Sequence, residues 1–246
     1  MNGPLAGSAT AAPYAQGTSA GHNSLPIPRY LTQAYWWAYV HPSAVHLFER
    51  DWLVNAILFG NYARLRDAAL GEMGETVHGR TLQVACVYGN LTRRLQQRLA
   101  PHARLDVVDV LSIQLRNLGK KLVPDERIAL LHGDSSALAC ADASYDQVLL
   151  FFLLHEQPQA VRSATLAEAL RAVKPGGKVI VVDYHRPAAW HPLQPLMRLV
   201  FRKLEPYAMA LWQQEVREFL PSGVQIASLR KQTFFGGLYQ KLVLTR

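Results

Sequence analysis

Along the chain the spacing of apolar residues changes near Gly79. Upstream, in RYLTQAYWWAYVHPSAVHLFERDWLVNAILFGNYARLRDAAL from Arg29 onward, Val45, Phe48, Trp52, Leu53, Ala56 and Ile57 fall at helical spacing. That periodicity predicts one or two amphipathic helices. Downstream, the apolar residues gather into short, nearly continuous runs: TLQVACVY, ARLDVVDV, RIALLHGD, YDQVLLFFLL and KVIVVDY. Between them lie helical stretches from about Leu91 to Leu99, from about Ser112, and from about Val161 to Val173. Strands that are apolar on both faces and alternate with helices predict a parallel sheet covered on both sides. The closing stretch VQIASLRKQTFFGGLYQKLVLTR has two β-rich halves around Gly236 and Gly237, the pattern of an antiparallel hairpin. The expected fold is α/β and doubly wound, a mostly parallel sheet with a C-terminal hairpin and an N-terminal helical lid.

Composition bounds this picture. Of 246 residues 50% are hydrophobic, enough to bury a core for one large domain. The longest plain apolar run, VLLFFLL at 148–154, is far short of the roughly 18 to 20 residues that span a bilayer. Two cysteines, Cys86 and Cys140, with no CxxC pair, speak against thiolate zinc and disulfide frameworks and point to a reducing compartment. Residues 1–28 carry no Lys, Arg, Asp or Glu and are rich in Gly, Ala, Ser and Pro. They are expected to form a disordered tail rather than a secretory or transit signal. Three parts follow: the tail at 1–28, a helical and aromatic lid at 29–74, and an α/β domain at 75–246 with a basic amphipathic insertion at about 190–220.

The net charge of +8 fits an anionic partner of some kind. Nucleic acid is set aside, because no basic stripe interleaved with aromatics is present.

In open α/β sheets ligands bind beyond the carboxyl ends of the strands. Three features fall there in order. Tyr88-Gly89-Asn90 turns the first strand into a helix whose N–H groups can receive an anion. Asp109 ends the second strand, placed for ribose hydroxyls, and Gly133-Asp134 follows the third, where a carboxylate can accept from an adenine amino group. Singly each reads equally well as a turn, a cap or a loop acid; their order is the stronger signal.

With ADASYDQVLLFFLLHE and LRAVKPGGKVIVVDY, these segments resemble the class I S-adenosylmethionine methyltransferases, notably the ubiquinone and menaquinone C-methyltransferases. The resemblance implies a Rossmann-like, seven-stranded sheet. It implies Asp109 at the ribose, Asp134 at adenine, Gly89 at the methionyl end, and Gln83, Ala85, Val87, Tyr88, Val110, Ser135 and Phe152 around the cofactor. The loop departs from that pattern: Gln83 stands where an acid is expected and Val87 where a glycine is. With YWWAYVHP, ACVYGN, DVVDVLSIQL, FFLLHEQP and VDYHRP, the chain further resembles the rhodoquinone-biosynthesis branch. That implies conversion of ubiquinone to rhodoquinone, a ring methoxy group giving way to an amino group. S-adenosylmethionine is then the implied amino donor and a divalent metal such as manganese the implied helper.

An amine attacks a quinone carbon only when neutral, and a nearby carboxylate favours its charged form. Gln83 removes that bias, so Gln83 and Val87 are expected to relax the hold on the methionyl amine while Tyr88 narrows the pocket. For the metal, or for acid–base work, the candidates are His155, Glu156, Asp183, His185 and His41. Tyr35, Trp36, Trp37 and Tyr39 are candidates to stack on a quinone. In HPLQPLMRLVFRKLEP, Leu193, Leu196, Met197, Val200 and Leu204 alternate with Arg198, Arg202 and Lys203. This predicts a helix that lies on an anionic lipid surface or docks on its own core. A cytoplasmic enzyme peripheral to the inner membrane is the expectation. The alternatives are a conventional methyltransferase of a quinone or phenolic lipid precursor, and a regulator that binds cofactor without catalysis.

Overall fold

The computed structural model describes residues 25–35 and 50–246. Trp36, Trp37, Tyr39 and His41, together with most of the expected tail, lie outside the described residues. Before the sheet come helices α1 (Arg29–Ala34), α2 (Asp51–Ile57) and α3 (Tyr62–Met73). Val45 and Phe48 of the predicted periodicity lie outside the described residues; its remainder falls in α2, where Trp52 and Ile57 stay 62% and 42% exposed instead of joining the core.

The sheet runs β1 (Arg80–Val84), β2 (Arg104–Asp109), β3 (Ile128–His132), β4 (Tyr145–Phe151), β5 (Val173–Tyr184), β6 (Ser228–Phe234) and β7 (Tyr239–Thr245). Its spatial order is β3-β2-β1-β4-β5-β7-β6. The first five strands are parallel; β7 returns antiparallel between β5 and β6. Helices α4 (Leu91–Gln96), α5 (Ser112–Lys121) and α6 (Gln159–Ala172) are the crossovers, and α7 (Gln194–Lys203) and α8 (Ala210–Gln213) fill the predicted insertion. Among the described residues no helix is long and apolar enough to cross a membrane.

Strand alternation divides the core into two layers. Leu149, Phe151, Ile180 and Val182 face α3, α4 and α7, while Val148, Leu150, Val179 and Val181 face α6. Each such side chain, fully buried, contributes about 1.5 to 3 kcal/mol. The hairpin is tied to α3 by Glu72, which pairs with Lys241 at 2.7 Å and Arg230 at 2.7 Å. The strand order reverses beside β1, and the site forms there.

Candidate active site

Beyond the carboxyl ends of the parallel strands lies a cavity of about 430 Å³. One half of it is built from the three loops the sequence singled out. After β1 the backbone turns through Ala85 at φ +70° and Gly89 at φ +83°, the left-handed region that glycine adopts without strain. Asp109 clasps this loop to the next one: its Oδ2 accepts from Cys86 N at 2.7 Å and its Oδ1 from Leu111 N at 2.7 Å. Burial pushes the Asp109 carboxyl up to about 6, against the pull of those backbone bonds. Asp134 Oδ1 accepts from Ser136 N at 2.8 Å and from its hydroxyl at 2.7 Å. Ser135 Oγ meets Thr165 Oγ1 and the Gln157 amide, each at 3.0 Å. Ala85, Val87, Tyr88, Asp109, Val110, Asp134, Ser135 and Phe152 all line the cavity.

Gln83 and Gly89 are placed differently from the expectation. Gln83 is fully buried behind the loop; it accepts from the Thr92 hydroxyl at 3.0 Å and donates to Ala85 O at 3.0 Å. It braces the turn from below rather than facing the cavity. Gly89 backs onto Tyr62 of α3, where an added Cβ would strike the phenol. The Tyr62 hydroxyl accepts from Asn90 N at 2.8 Å and Leu91 N at 3.0 Å. The N–H groups at the start of α4, expected to receive an anion, are thus held by a phenol from the chain itself.

The other half of the cavity is aromatic. Tyr35, 2% exposed, lines it with Tyr30, Phe151, Phe152 and Tyr184. Phe152 sits at φ +53° and meets both His155 and Tyr184 edge-on. His155, 5% exposed, has Nδ1 2.9 Å from Asp183 Oδ1 and Nε2 3.7 Å from Glu156 Oε1. Asp183 is fully buried and also accepts from Leu154 N at 2.8 Å. Burial alone would push the imidazole down, but Asp183 overcomes it and carries His155 up to about 9. At neutral pH both ring nitrogens then hold protons, and the imidazolium is a donor at the wall of the cavity. Glu205, beyond α7, also lines the cavity; burial raises its carboxyl, and its Oε2 has no hydrogen-bond partner among the described residues.

The expected metal set does not assemble. Just past β5, His185 donates from Nδ1 to Gly237 O at 2.8 Å, and its Nε2 lies 2.8 Å from the Lys231 ammonium. It is outside the cavity lining, away from His155 and Glu156. His155 is engaged by Asp183, and among the described residues no group of three or more His, Cys, Asp or Glu is placed to hold an ion. The manganese set expected at His155, Glu156 and His185 thus does not come together among the described residues, and His41 lies outside them.

Tyr62, Tyr30, Leu111, Gln114 and Glu205 complete the cavity wall without having been singled out in the sequence. The helical spacing of Tyr62, Leu65, Ala69 and Leu70 could have placed Tyr62 inward, but it carries no sign of what the hydroxyl would bind.

Residues 81–177 match the family model described as "Methyltransferase domain". Over 137 residues the chain is 29% identical to a demethylmenaquinone methyltransferase of Staphylococcus aureus, covering 56% of this chain and 56% of that one. The chain thus spans little more than half the length of the curated relatives it matches. Among solved structures it is similar to the N-methyltransferase NodS of Bradyrhizobium japonicum, with a TM-score of 0.54 and 13% identity over 74% of this chain and 94% of that one. A phosphoethanolamine N-methyltransferase of Haemonchus contortus in complex with S-adenosyl-L-methionine gives a TM-score of 0.57 at 12% identity, over 76% of this chain and 53% of that one. At such identities these likenesses speak for the fold alone. Sheet order, structural likeness and the match over residues 81–177 agree on the fold: the chain has the Rossmann-like α/β fold of the class I methyltransferases.

Proposed function

We propose that the protein is an S-adenosylmethionine-dependent transferase acting on a quinone ring, and that with ubiquinone it replaces a ring methoxy group by an amino group, the cofactor supplying the nitrogen. The observation that carries the reading is one cavity with two chemically distinct ends: Asp109 and Asp134 at the nucleoside end, and Tyr35, Phe152, Tyr184 and the His155–Asp183 pair at the other. The resemblance of the loop and strand ends to the rhodoquinone-biosynthesis branch supplies the finer identity of the reaction.

In this reading Asp109 accepts from the ribose hydroxyls and Asp134 from the adenine amino group. The flat apolar walls orient the ring and exclude water. When a nucleophile adds to the ring, negative charge gathers on a carbonyl oxygen, and the imidazolium of His155 donates a hydrogen bond to it. Asp183 holds that imidazole charged and oriented. The amine nitrogen bonds to the ring carbon, and methoxide leaves and takes up the amine proton as methanol. The adduct still holds the methionyl carbon on nitrogen; shift of the N–H and Cα–H hydrogens to the two ring oxygens makes the ring a quinol and the N–Cα bond an imine, and water then splits that imine into the amino-quinol and the 2-oxo acid of the cofactor. One feature supports an unusual disposition of the methionyl end: the Tyr62 hydroxyl occupies the Asn90 and Leu91 N–H groups at the start of α4.

The 29% identity to a demethylmenaquinone methyltransferase favours a second reading, methyl transfer to a quinone or phenolic precursor. One assay separates the two. Purified protein is incubated with S-adenosylmethionine labelled at the amino nitrogen and a short-tailed ubiquinone, with and without manganese. A product lighter than ubiquinone that retains the label is expected for amination. A heavier, unlabelled product would assign methyl transfer, and an unchanged quinone with intact cofactor would overturn both.

A further inference from the structure

Helix α7 works on two sides. Its inward residues Met197 and Val200, with Leu204 just beyond, wall the cavity. Its outward side carries Leu196 and Leu199, 45% and 47% exposed, among exposed Arg198, Arg202 and Lys203. Just before the helix Trp190 is 75% exposed. Arg198 and Arg202, one turn apart, flank a cleft of about 580 Å³ floored by Leu199, Phe201 and Met209. None of these three cations has an ion pair or hydrogen bond among the described residues. Near the same helix the cavity reaches the surface at an apolar rim, since Ile57 and Leu204 both line it while remaining 42% and 44% exposed.

Unpaired arginines call for anions, and leucines standing between them call for an apolar medium. A nucleic acid or free phosphate would satisfy the first and leave the second in water. An anionic bilayer satisfies both: headgroup phosphates meet Arg198 and Arg202, and the leucines and Trp190 reach the boundary of the acyl chains. We infer that the outward face of α7 is a docking surface for an anionic lipid bilayer, and that docking turns the Ile57–Leu204 rim toward the lipid. The inference does not rest on the reaction proposed above; it concerns how an apolar substrate reaches the cavity.

Cosedimentation of the full chain with phosphatidylglycerol-containing or pure phosphatidylcholine vesicles tests it. Preferential binding to the anionic vesicles is expected, weakened at high salt, and reduced roughly fivefold or more for each arginine reversed in R198E and R202E. L196S/L199S should weaken binding to both kinds of vesicle. Equal binding of the parent protein to both vesicles, or unchanged binding by R198E/R202E, would overturn the proposal. So would two other results: saturable binding of inorganic phosphate without vesicle binding, or a lipid-free dimer that R198E/R202E dissolves, which would assign the face to a second copy. Turnover of a water-soluble, tail-less quinone should be the same in R198E/R202E as in the parent. If the parent converts no quinone, the reaction falls and the vesicle result stands on its own.

Discussion

At the scale of single residues, the site is held by side chains reaching across long stretches of sequence. Tyr62 contributes one oxygen to two N–H groups, and Leu91, whose N–H is one of them, is fully buried. Removing that oxygen leaves donors with no water to turn to. Tyr62→Phe is expected to lower the unfolding free energy by about 2 kcal/mol, read from the urea midpoint. His155 and Asp109 make stability depend on pH in the same direction. Each has a folded pKa above its unfolded value, so each contribution is complete below the unfolded pKa and is lost as pH rises through the folded one. For Asp109 the window runs from 3.8 to about 6, and for His155 from 6.5 to about 9. The His155 contribution is on the order of 3 kcal/mol. The unfolding free energy should therefore fall between pH 6.5 and 9, and equilibrium denaturation of Asp183→Asn should show that fall largely abolished.

At the scale of elements, Arg162 is the joint between three pieces. It is fully buried in α6, with Nε donating to Leu154 O at 2.8 Å and Nη2 donating to Gln157 O and Tyr207 O, both at 2.9 Å. Its guanidinium also lies over the Phe219 ring. It thereby fixes the short helical turn at Leu154–Glu156, which presents His155 and Glu156, against the segment between α7 and α8. Arg162→Met removes three bonds but also a charge that is costly to bury, so a net loss of about 2 kcal/mol is expected by denaturant titration. Arg162→Lys should not restore it, because one ammonium cannot reproduce a planar fork across three carbonyls. The strands and crossovers themselves were legible in the chain, since period and chain order together dictate where β1 to β5 end. That is why Asp109 and Asp134 could be placed at strand ends that line the cavity. Tyr62, Arg162 and Glu205 could not be placed, because each acts through a contact between segments far apart in sequence. His185 was misplaced because position in the chain shows that a residue follows β5 but not that Gly237 and Lys231 take its ring.

For the whole molecule, the sheet does two tasks with one edge. Its carboxyl ends carry the cavity loops of Asp109 and Asp134, and the helices appended after β5 close the far side of the same cavity and face outward as a basic, leucine-studded surface. The rim at Ile57 and Leu204 gives that arrangement a kinetic meaning. In the docking proposed above, the protein is an enzyme whose mouth opens into lipid and which samples its substrate in two dimensions. Its saturation is then governed by the mole fraction of quinone in the leaflet, not by the amount of quinone per litre, and a membrane can quicken or slow it merely by changing how much other lipid shares the surface.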